Sequence, residues 1–95
     1  MSRMAIEHRR VYYSGRVQGV GFRYTARDLA QGRKVTGFVR NLDDGRVELV
    51  TEGERSEVES FLDAIRTALG PRVHHLEEEH GPLAVPPYRD FSIRY

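Results

Sequence analysis

The segment Gly15-Arg16-Val17-Gln18-Gly19-Val20-Gly21-Phe22-Arg23 places three glycines within nine residues and ends on arginine. The chemistry open to such a run is anion recognition. Successive backbone N–H groups in a tight turn converge into a concave nest, and a helix N-terminus adds roughly half a positive charge. Gly15, Gly19 and Gly21 permit positive φ or let the backbone approach a ligand closely. Arg23, in the first turn of a helix opened by the segment, can close over a phosphate with two parallel hydrogen bonds. The same glycines also suit an ordinary strand-to-helix turn with a solvated arginine, so the run alone leaves both readings open. Two other phosphate motifs are excluded. The spacing is not G-x-G-x-x-G, and Gly32 and Gly37, which have the spacing of a nucleotide P-loop, are followed by Phe38-Val39 where Lys-Ser/Thr is required.

Other chemistries find little support. The absence of cysteine rules out disulfides, thiolate catalysis and Cys-based zinc sites. His74, His75 and His80 lie beside Glu77, Glu78 and Glu79, but neither histidine pair has the i, i+4 spacing of a helical zinc site, and a charged, solvated edge strand accounts for the segment. No metal ligands are therefore assigned. Net charge is +1, with 15 basic against 14 acidic residues. That balance offers no basic surface for nucleic acid, although Tyr12 and Tyr13 could otherwise serve as stacking residues. No run approaches a membrane span and the first residues lack the apolar core of a signal peptide, so no membrane partner is expected and a cytoplasmic location is the default.

The elements that must position Arg23 follow from periodicity. Residues 9–14 alternate as a strand, with Val11 and Tyr13 on one face. From Phe22, apolar residues recur at Ala26, Leu29 and Ala30, a helix that Gly32 stops. Residues 35–40 and 46–52 form two more strands around an Asp44-Gly45 turn. Ser56 and Glu59 have the spacing of a capping box, and Val58, Phe61, Leu62, Ile65 and Leu69 follow on one helical face until Gly70-Pro71. Residues 72–79 make a fourth strand and 91–95 a short extra C-terminal one, with Phe91, Ile93 and Tyr95 sharing a face. Between them runs a proline-rich loop. The order β-α-β-β-α-β is the split βαβ, or ferredoxin-like, α+β arrangement: an antiparallel sheet with two helices on one face, in a single domain over residues 1–95. By strand parity Asn41 shares a face with Val35, Gly37 and Val39, the side nearest the start of the first helix if that face packs on the helices. Asn41 also suits the turn that follows it.

GRVQGVGFR, with Asn41 eighteen residues after Arg23 in GFVRNLDDGRVEL, resembles the signature of the acylphosphatases, small ferredoxin-like enzymes that hydrolyse the carboxyl-phosphate bond of acyl phosphates. The resemblance runs from about residue 9 to Pro71 and resumes in FSIRY. It implies that Gly15, Gln18, Gly19, Val20, Gly21 and Phe22 cradle the phosphate, that Arg23 binds it and that Asn41 orients the attacking water. It further implies a small-molecule acyl phosphate substrate, inhibition by inorganic phosphate or sulfate, no cofactor, and a monomer. Phe38 stands where the family often has tryptophan, and the stretch from Val73 to Asp90 follows the pattern only loosely. The residues agree with this chemistry. The departing carboxylate has a conjugate acid with a pKa of about 4–5, so it needs no general acid at neutral pH, and phosphoryl transfer relies mainly on positioning and electrostatics.

Overall fold

The structure, a computed structural model, describes residues 5–19 and 21–95. Its elements in chain order are β1 (Ile6–Gly15), α1 (Phe22–Ala30), β2 (Val35–Asn41), β3 (Val47–Glu54), α2 (Arg55–Leu69), a 3-10 turn (Gly70–Arg72), β4 (Val73–Gly81) and β5 (Phe91–Arg94). The strands lie in the order β4-β1-β3-β2-β5, the ferredoxin-like topology with one strand added. Four strands pair antiparallel, as expected. The fifth departs from that pattern, because β5 runs parallel to β2 and makes the sheet mixed. Since β4 and β5 occupy opposite edges, residues 82–90 must cross the sheet face away from the helices. There the Glu52 carboxylate accepts the Ala84 N–H at 2.7 Å and pairs with His8 at 2.7 Å. Farther along, Tyr88 packs edge-on against Phe38. Having crossed, the chain enters β5 in the direction of β2.

The inner face follows the period-2 pattern of the strands. Val11, Tyr13, Val35, Val39, Val47 and Leu49 meet Phe22, Ala26 and Ala30 from α1 and Val58, Phe61, Ile65 and Leu69 from α2. Two aromatic contacts bind the layers together: Tyr13 on Phe22 with centroids 4.9 Å apart, and Phe61 on Phe91 at 5.0 Å. The first of these fixes the opening residue of α1 to β1, immediately beside Arg23.

The capping-box expectation for α2 is not met. The helix begins at Arg55 with Glu54 as its N-cap and no side-chain cap bond, so Ser56 already lies inside it. Glu59 is drawn instead to the buried guanidinium of Arg9, which also pairs with Glu7 and Glu78. A buried cation surrounded by carboxylates outcompetes a single orphan amide for that side chain. Glu57, two residues earlier, accepts the N–H of Lys34.

Candidate active site

The turn between β1 and α1 is built on backbone that only glycine adopts readily. Gly19 and Gly21 have φ of 76° and 78°, and a Cβ at either would meet nothing within 4 Å. Their requirement is conformational, not spatial. Gly21 is the N-cap of α1 and supplies no side-chain bond to the helix start. The first amides of α1, which have no partner within the helix, are thus left facing outward beside the turn. Gly15 serves a different need. A Cβ there would stand 2.6 Å from the Arg72 carbonyl oxygen and 2.7 Å from the His74 nitrogen, where β4 closes on the end of β1. Its glycine is explained by close strand approach, and Gly15 lies away from the cleft.

That cleft, about 250 Å³, has Gly19, Gly21, Arg23 and Asn41 along its walls. Val17 and Phe22 form an apolar base, both buried in the core, and Tyr24 stands at its side. Sequence parity therefore placed Asn41 correctly: β2 ends on the helix-bearing side and brings the amide to the start of α1. Among the described residues no carboxylate neutralises Arg23; its guanidinium stacks on the Tyr95 ring, 4.9 Å from the centroid. The hydrogen bond between the Tyr95 and Tyr24 hydroxyls, 3.3 Å, holds the Tyr95 phenol above its usual range. Val20 lies outside the described residues.

Gln18 has a role that spacing did not reveal. Its Nε2 donates to the carbonyls of Leu42 at 2.8 Å and Arg46 at 2.9 Å, so it points into the β2–β3 turn and not into the cleft. The Arg46 carbonyl also accepts the Leu42 N–H at 2.8 Å. One side-chain amide thus ties the glycine turn to the residues flanking Asn41. Tyr24 and Tyr95 were likewise not singled out as site residues. The usable signal for Tyr95 was its parity with Phe91 and Ile93, which turns it toward the helix side.

A larger groove of about 450 Å³ lies between α2 and β4, lined in part by Arg9, Leu62, Arg66 and Leu76. Its cations are already engaged, Arg9 by three glutamates and Arg66 by Asp63. Burial holds the Tyr13 phenol at its edge well above the ordinary range, hence neutral. The smaller cleft, with an uncompensated arginine, is the better anion receptor. Among the described residues no cluster of three His, Cys, Asp or Glu side chains is arranged to hold a metal.

Comparison with known proteins bears on the family and the fold. The family model described as Acylphosphatase matches residues 9–93. An acylphosphatase of Yersinia pseudotuberculosis is 45% identical over 86 residues, 88% of this chain and 91% of its relative. The crystal structure of acylphosphatase from Bacillus subtilis superposes with a TM-score of 0.81 at 35% identity, over 94% of this chain and 99% of that one. An acylphosphatase structure from Coxiella burnetii gives 0.81 at 32% identity, over 99% and 100% of the two chains.

The Gln18 bridge gives a direct test of how the turn is held. Gln18→Leu removes two hydrogen bonds but leaves each carbonyl its backbone partner, so urea titration should register a loss of about 1–3 kcal/mol. Amide exchange in that variant should accelerate in the Gly15–Phe22 turn and in the Leu42–Arg46 turn together. Unchanged stability with neither turn loosened would remove the bridge from the account.

Proposed function

This chain belongs to the acylphosphatase family, and as an acylphosphatase it hydrolyses acyl phosphates; we propose that it does so with the phosphoryl group seated in the Gly19–Gly21 nest, Arg23 paired to its oxygens and Asn41 directing the water. The observation that carries this reading is the convergence of both side chains and the glycine turn on one cleft, with Arg23 uncompensated by any described carboxylate. The N–H groups of the turn and of the first turn of α1 donate hydrogen bonds to the equatorial phosphoryl oxygens. The guanidinium supplies a full positive charge and a planar fork of donors. The Asn41 side-chain oxygen accepts a hydrogen bond from water and so aligns a lone pair on phosphorus. Water adds to phosphorus as the bond to the acyl oxygen breaks. The carboxylate leaves as an anion, and the extra proton passes from the attacking water to solvent. A loose transition state asks for little help from a base, and a carboxylate asks for none from an acid.

Gln18 enters this mechanism as a positioning residue, acting through the turn it anchors. Gly15 and Phe22 support the site from the strand junction and from the core. The substrate is a small molecule, with inorganic phosphate and sulfate as competitive ligands. The working form is a monomer in the cytoplasm; no helix among the described residues is long and apolar enough to cross a membrane.

Among the described residues the cleft lining offers two side-chain oxygens, those of Asn41 and Tyr24, and no carboxylate, a poor donor set for a divalent ion, so turnover of benzoyl phosphate should persist at full rate after exhaustive chelation. A restored rate only on adding magnesium or zinc would contradict the site. Phosphate should also raise the melting temperature through binding to the folded state, by about 2.7 kcal/mol of stabilisation at a hundredfold excess over its Kd. Arg23→Ala should abolish that response and lower turnover on the order of 10³-fold or more, the range of a phosphoryl-contacting arginine. A phosphate response retained in folded Arg23→Ala would locate the anion elsewhere.

A further inference from the structure

Resting on that reading, the next question is what receives the acyl group once the phosphoryl end is seated. The nest walls offer no side chain at Gly19 or Gly21, and Val17 and Phe22 are buried beneath them, 0% and 2% exposed. Arg23 and Asn41 are assigned to the phosphate and the water. Among the described lining residues that leaves Tyr24, half exposed at 49%, with Tyr95 at 89% joined to it by the hydroxyl–hydroxyl bond. The two rings are held in a row: Arg23 stacks on Tyr95, and Arg27 lies 5.1 Å from the Tyr24 ring centroid. Exposed aromatics held this way beside an anion receptor form an apolar lip next to a charged seat. An aryl acyl phosphate has the matching shape, with a phosphoryl anion joined through one carboxyl to a flat apolar ring.

We propose that Tyr24, steadied by Tyr95 and Arg27, is the specificity-determining residue of the cleft and selects acyl phosphates with an aromatic acyl group over short aliphatic ones. Ring-on-ring contact at a partly exposed site is worth about five-fold in affinity, within the range of single aromatic pairs. The ring face, not the hydroxyl, meets the ligand, and the Arg27 guanidinium over that ring does not depend on the hydroxyl, so Tyr24→Phe retains the selection.

The test compares kcat/KM for benzoyl phosphate and acetyl phosphate in the parent, Tyr24→Ala and Tyr24→Phe, with calorimetric binding of phenylphosphonate and methylphosphonate in the same proteins. The parent should favour the aryl member of each pair. Tyr24→Ala should reduce that preference about five-fold in both readouts, chiefly through KM, and Tyr24→Phe should keep it. An unchanged ratio in folded Tyr24→Ala overturns the lip while leaving hydrolysis intact. Equal binding of the two phosphonates by the parent overturns it as well, as does a parent preference for an acyl group carrying a second negative charge, which would give the selecting role to Arg27. A parent that favours phenylphosphonate but hydrolyses neither acyl phosphate overturns the hydrolytic reading and supports the lip.

Discussion

The side-chain amide of Gln18, shared between the carbonyls of Leu42 and Arg46, is the constraint on which the site depends. An anion nest and a water-directing amide are useful only at a fixed separation. The groups proposed for these roles come from chain segments about twenty residues apart, one a turn with no regular ladder of its own. The sheet alone fixes the end of β2, through its pairing of Asn41 with Val47. The Gln18 bridge transfers that order to the glycine turn. Because the partners are main-chain carbonyls that also take part in the hairpin's own bonds, the bridge reads the position of the backbone and is insensitive to the turn's side chains.

The core does the same for Arg23 from below. Phe22 is nearly fully buried and packs on Tyr13, so the residue just before Arg23 is immobilised against β1. Ala26 and Ala30 let α1 lie close on the sheet. The long guanidinium side chain therefore leaves from a fixed root, and its outer end rests on Tyr95. In the proposed mechanism most of the catalytic effect comes from such preorganisation, since donors already aimed at the developing charge need no rearrangement during reaction.

Much of this was legible in the sequence, for particular reasons. The stripe Val58, Phe61, Ile65, Leu69 and the alternation in β1, β2 and β3 are local patterns, and the fold follows from their order. The parity that put Asn41 beside the start of α1 also needed only counting. What stayed hidden depends on partners distant in the chain. Gly15 is glycine because of the Arg72 carbonyl across the β1–β4 junction, which no local motif records. Ser56 and Glu59 looked like a cap, yet Arg9, fifty residues away, holds Glu59. Gln18 was read as part of the phosphate cradle because it sits within the glycine run, whereas its partners lie in another hairpin. The parallel pairing of β5 follows from a loop crossing the sheet, which composition could mark as proline-rich but not route.

The central claim is a division of labour: Arg23 and the nest hold the phosphate, and Asn41 acts on the water. Steady-state kinetics of folded Asn41→Ala, measured with phosphate as competitive inhibitor alongside the parent, test it most directly. An interaction made chiefly in the transition state lowers kcat without weakening ground-state ligands. The account predicts a fall in kcat on the order of 10²–10³-fold, by analogy with loss of one oriented hydrogen-bonding group, with the phosphate inhibition constant nearly unchanged. A near-normal kcat, or a kcat retained while phosphate affinity collapses, would contradict it.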